Sequence, residues 1–88
     1  SGLPGIIQSF LEGLNEVAGG INKSTTKWVP LATVGNYLHE QKIDYKAHGY
    51  GRFKKLAEAV EKRGLIEHSS KDSSYYVRLT SDGKHYVS

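Results

Sequence analysis

The chain predicts an α+β fold in which three helices precede a β-hairpin, the order of a winged helix-turn-helix. Three observations carry this expectation. Apolar residues recur at helical spacing in three separate segments, two β-branched and aromatic runs follow them, and glycine or proline punctuates the junctions. Its 88 residues suffice for one domain with one modest core.

The first helix is expected over residues 4–18. Ile6, Ile7, Phe10, Leu11, Leu14 and Val17 repeat at the spacing of one amphipathic face, and Pro4 is tolerated in a first turn. Gly19-Gly20 ends it, because glycine accepts the left-handed conformation that closes helices. INKSTTK, residues 21–27, is a short polar connection. The second helix, residues 30–41, starts at Pro30, whose missing N–H costs nothing there, and carries Leu31, Val34 and Leu38 on one stripe. Trp28 and Val29 are expected to pack on the core ahead of it, fixing the entry angle. Gly35 on the apolar stripe predicts close approach by a neighbouring element.

Residues 43–51 read as irregular chain or a short helical turn, since Gly49 and Gly51 argue against a long helix. The third helix, residues 52–63, turns Phe53, Leu56, Ala57 and Val60 inward and stops at Gly64, with Lys62 and Arg63 where the helix dipole favours cations. Residues 65–68 and 75–79 read as two strands joined by a polar, mobile tip from Ser69 to Ser74. In the tail, residues 80–88, Ser81-Asp82-Gly83-Lys84 reads as a turn and Tyr86-Val87 as a short strand or a frayed end.

Composition narrows the function classes. Without cysteine there is no disulfide or thiolate metal site, and an intracellular, cytoplasmic setting is expected. No apolar run approaches the roughly 20 residues that span a bilayer, so no membrane partner is expected. There is no basic-then-apolar leader, and Ser1-Gly2 reads as a remnant of cloning. The net charge of +3 is mild but unevenly spread. Residues 1–26 hold one Lys against two Glu, whereas residues 27–88 hold eleven Lys/Arg against seven Asp/Glu. The later part is therefore the expected contact surface.

Catalysis finds little support. His39, His48, His68 and His85 fall on four separate elements with no local metal-ligand spacing, so neither metal nor cofactor is expected. No GxSxG elbow is present. Glu58 and Glu61 could suggest paired carboxylates, but Lys54–Glu58 and Glu58–Lys62 are ordinary i, i+4 ion-pair spacings. Gly49-Tyr50-Gly51 lacks the third glycine of a dinucleotide fingerprint and the Gly-Lys-Ser/Thr of a phosphate loop. Its glycines read better as a tight turn into the third helix.

That helix is the informative element. On a wheel of about 100° per residue from Phe53, the inward residues cluster within about 60° of zero. Lys62, Lys55, Arg52 and Arg63 fall at about 180–280°, and Lys54, Glu58 and Glu61 at about 80–140°. One flank is thus purely cationic, where a merely solubilised helix would intersperse its signs. Arg52, Lys55, Lys62 and Arg63 are the expected phosphate contacts, flanked by Lys46, Lys54, His48 and Tyr50. Aromatic rings among cations suit unstacked bases or exposed quartet faces, although Tyr45 or Tyr50 could equally complete the core. The competing explanation of the whole flank is a solvated face on a domain of pI about 9.2. Lys71 at the hairpin tip is a further candidate contact.

The run WVPLATVGNYL from Trp28 to Leu38, then Asp44-Tyr45-Lys46, Tyr50-Gly51, Lys55-Leu56, Gly64-Leu65-Ile66-Glu67 and Tyr76-Val77-Arg78, resembles the LOTUS domain, also called OST-HTH. It is most similar to the bacterial type that follows a NYN ribonuclease domain. The resemblance covers nearly the whole chain up to Thr80, with residues 4–18 as the family's first helix. One departure is an extra residue between Tyr50-Gly51 and Leu56. The resemblance implies a winged helix and a non-catalytic role in binding RNA, notably G-rich and G-quadruplex RNA, with a NYN-type nuclease domain as a possible neighbour in the same chain. Extended members carry an extra C-terminal helix and bind a Vasa-type DEAD-box helicase. Residues 81–88 do not read as that helix, which favours the RNA-binding type. A protein-interaction module and an ordinary duplex-DNA binder are the alternatives.

Overall fold

The computed structural model describes residues 2–88; Ser1, part of the Ser1-Gly2 pair on which the cloning-remnant expectation falls, lies outside the described residues. Helix α1 (Gly5–Ala18) leads through a turn-rich segment to the two-residue strand β1 (Val29–Pro30) and helix α2 (Leu31–Glu40). A 3-10 turn (Tyr45–His48) precedes helix α3 (Phe53–Lys62), strands β2 (Ile66–Lys71) and β3 (Ser74–Leu79), and a short helix α4 (Ser81–His85). The strands form one antiparallel sheet in the order β1-β3-β2. The protein is thus an α+β fold of four helices and a three-stranded antiparallel sheet, packed to a radius of gyration of 11.7 Å.

The periodic segments form the helices expected of them. Ile6, Ile7, Phe10, Leu11 and Leu14 of α1 are buried against Leu31, Val34 and Leu38 of α2 and Leu56, Ala57 and Val60 of α3. From the sheet, Val29, Ile66, Val77 and Leu79 complete the same core. Gly19, at φ 104°, closes α1 as expected, its N–H and that of Gly20 returning to carbonyls of the last turn. Gly35 also does what its place on the stripe implies: a Cβ there would lie 3.2 Å from the Phe53 ring. That ring fills the gap between α2 and α3, with centroids 5.4 Å from Phe10 and 5.2 Å from Tyr45.

Four features differ from the sequence expectation. Val29-Pro30 is a strand, Val29 opposite Val77 and Pro30 opposite Tyr76, because the chain entering α2 runs alongside β3. Pro30 has no N–H to give and stands on the sheet edge, where none is needed. Val29 reaches the core, but Trp28 remains half-buried beneath the Arg78 guanidinium, 4.2 Å from its ring centroid. The hairpin is longer than two short strands with a six-residue tip. Pairing continues to Lys71 opposite Ser74, leaving the two-residue turn Asp72-Ser73 with φ of 52° and 69°.

The fourth difference is the tail, where Ser81-Asp82-Gly83-Lys84 is helical rather than a turn and Tyr86-Val87 forms no strand. Thr80 caps the helix: its Oγ1 accepts from the Gly83 N–H at 3.0 Å and donates to the Gly64 carbonyl at 2.6 Å. The glycine that suggested a turn has a packing reason instead. Gly83 is buried against the Leu65 carbonyl, which leaves no room for a side chain. At the far end, Gln8 Nε2 donates to the Tyr86 carbonyl at 2.7 Å, tying the tail to α1.

Candidate nucleic-acid interface

The candidate surface is built by the turn before α3 and by α3 itself. Asp44 accepts at one carboxylate oxygen from the N–H groups of Lys46 and Ala47, at 3.0 and 3.4 Å, and so caps the 3-10 turn. Gly49, at φ 93°, ends that turn and redirects the chain toward α3. Lys46 and His48 are exposed on the turn. Tyr50 is half-buried against the core, so its ring contributes to packing. Arg52 stands at the N-cap of α3 with no side-chain cap, beside the free N–H groups of the first turn.

Arg52, Lys54, Lys55, Lys62 and Arg63 are all exposed, but they do not form one cluster. Arg52, Lys54 and Lys55 share the N-terminal end of α3 with the 3-10 turn. Lys62 and Arg63 lie at the other end, roughly 10–16 Å further along at about 1.5 Å per residue. Arg63 borders a depression shared with Asp82, His85 and Tyr86 of the tail. An open groove beside the 3-10 turn is lined by Gly35, Ile43 and Tyr45 together with His39, Glu40, Lys42, Asp44 and Lys46, so its rim carries both signs of charge.

The charge asymmetry of α3 has a structural counterpart in the hairpin. The flank carrying Lys54 and Glu61 faces the hairpin, where the Lys54 ammonium lies 5.0 Å from the Tyr75 ring centroid. Glu61 meets His68 Nδ1 through both carboxylate oxygens, at 2.7 and 2.8 Å. A carboxylate can only accept, so Nδ1 carries the hydrogen. His68 in turn stacks on Tyr75 with centroids 4.8 Å apart and planes 2° from parallel. The expected Lys54–Glu58 and Glu58–Lys62 pairs are not made; Glu58 instead pairs with Lys55 across one turn at 3.6 Å. Both partners are well exposed, the Lys55 side chain at 70%, so the pair is worth little and leaves Lys55 available.

Tyr75 and His68 were outside the set that sequence reasoning singled out. Alternation along β3 puts Tyr75 on the same face as Val77 and Leu79, which could have placed it beside α3. Nothing in the sequence signals the stack with His68. Burial holds the Tyr75 phenol above its ordinary pKa, and the nearby Glu61 and Glu58 carboxylates, which disfavour a phenolate, push the same way. The ring is therefore a neutral phenol at physiological pH.

Among the described residues no three His, Asp or Glu side chains converge as a metal site, and no helix is long and apolar enough to cross a membrane. Comparison of the chain with protein-family models, with curated proteins and with solved structures gives no match.

Proposed function

We propose that the chain is a non-catalytic RNA-binding module, a LOTUS-like winged helix whose α3 and preceding turn meet G-rich or otherwise structured RNA. The observation that carries this reading is the exposed set Lys46, Arg52, Lys54 and Lys55, four cations gathered around the start of α3 with the His48 imidazole beside them. The free N–H groups of that first turn point to the same polyanion. Lys62 and Arg63 form a separate exposed cationic pair at the far end of α3. In this reading the protein is cytoplasmic, and a NYN-type nuclease domain is a natural neighbour in a longer chain.

The test is one titration series on quadruplex RNA, its unfolded mutant, a stem-loop and duplex DNA. Preference for the quadruplex is expected, with a log–log salt slope of about −0.7 per neutralised phosphate on single strands. The double variant Arg52→Glu/Lys55→Glu should weaken binding by at least tenfold with its helical circular dichroism unchanged. Unaltered affinity, or a flat salt response, would remove α3 as the surface.

One observation favours a second reading. The tail holds a helix, α4, where the resemblance places the extra helix of members that bind a DEAD-box helicase. It is only five residues long, and Gly83 holds it close to the body of the domain. A protein-interaction module of this kind would show weak, unselective RNA binding in the same titration.

A further inference from the structure

We infer that Tyr75 is a base-stacking platform, closed by Lys54 in the free protein and opened when RNA takes the Lys54 ammonium onto a phosphate. The inference rests on the RNA-binding reading and adds to it a residue and a ligand chemistry, an unstacked base.

The geometry is that of a prepared stack. Tyr75 lies one residue into β3, next to the two-residue turn, and is half-buried. His68 braces its ring in parallel at 4.8 Å, and the carboxylate of Glu61 holds the imidazole at 2.7 and 2.8 Å. Those contacts tie the ring's orientation to α3. A platform whose plane is set before the ligand arrives loses little freedom on binding. The charged group on the ring is Lys54, an exposed side chain with no ion-pair partner among the described residues.

Magnitudes favour the exchange. An exposed cation–π contact is worth about two- to fivefold in an equilibrium constant. Stacking a base on an aromatic side chain is worth about five- to 150-fold, and the released ammonium regains a phosphate. Lys54 is thus a light cover that RNA can displace. Arg52 and Lys55 share the N-terminal end of α3 with Lys54 but lie on its other flank, so a strand that meets them and the ring must cross the start of the helix.

The probe is a short single-stranded oligouridine carrying one 2-aminopurine, whose fluorescence is quenched by stacking. Wild type should bind and quench, and Tyr75→Phe, which keeps the ring, should match it. Tyr75→Leu should lose at least fivefold in affinity and most of the quench. Lys54→Met should keep the quench while its salt slope falls by about 0.7, the loss of one phosphate contact. Binding by Tyr75→Leu within twofold of wild type with the quench intact would overturn the inference while the RNA reading stands. Loss of the quench in Lys54→Met would also overturn it, since the lysine rather than the ring would then hold the base. Failure of wild type to bind the oligonucleotide would overturn the inference alone, since the RNA reading is decided separately by the quadruplex titration.

Discussion

Replacing Gly83 with alanine tests the account of the tail. In an open helix this change is favourable by about 1 kcal/mol, because alanine loses less backbone freedom than glycine. Here the added Cβ would lie 1.9 Å from the Leu65 carbonyl oxygen and 2.9 Å from its carbon. The obstacle is backbone, and it is held from both sides. Leu65 follows the left-handed Gly64, and its oxygen already accepts from the Thr80 N–H at 3.1 Å. Reaching even a tight 3.0 Å contact requires a shift of about 1 Å in one of two packed segments, a strain of about 1–3 kcal/mol.

The alternative is for α4 to lift away. That would surrender the Thr80–Leu65 hydrogen bond, the Thr80 cap and the Gln8–Tyr86 link, each worth about 1 kcal/mol. Less the helix-propensity gain, the strained route costs up to about 2 kcal/mol and the lifting route about 2 kcal/mol, and a net loss of about 1–2 kcal/mol is expected. At about 4–8 °C per kcal/mol for a domain of this size, Tm should fall by roughly 4–16 °C. Thermal unfolding followed by circular dichroism measures it, with Gly5→Ala as the control. Gly5 opens α1 with nothing near its missing side chain, so that variant should hold or gain a few tenths of a kcal/mol. A Gly83→Ala protein as stable as wild type would refute the close approach of α4 to Leu65.

Two further outcomes follow from local geometry. Asp72 and Ser73 both adopt positive φ, where asparagine and glycine are better suited, so Asp72→Asn/Ser73→Gly should raise stability by about 1 kcal/mol, read as a higher midpoint in urea. The Tyr75 phenol, raised above 10.0 in the folded chain, ionises later there than in the unfolded chain. Its contribution is complete below about pH 10 and is lost as pH climbs through the folded value, so Tyr75→Phe should flatten the fall in stability above pH 10. An equally steep fall in Tyr75→Phe would show that other groups cause it.

The sequence by itself determined the three longer helices, their inward faces and the cationic flank of α3, but not the short α4. These follow from local periodicity: a helix buries residues three and four apart, and the residues that do so are written along the chain. Gly19, Gly35 and Gly64 were legible for the same reason, each sitting where a helix must end or where a neighbour must come close. What only the tertiary structure decided are pairings between distant segments. Val29 finds Val77 and Gly83 meets Leu65, while His68 lies between Glu61 and Tyr75. None of these contacts has a period, so spacing cannot announce them. The division of α3 shows both sources at work. Its charge asymmetry was visible on a wheel, but the hairpin decides which flank is occupied by the protein's own side chains and which is left facing solvent, because ion pairs and rings meet only after the chain has folded back on itself.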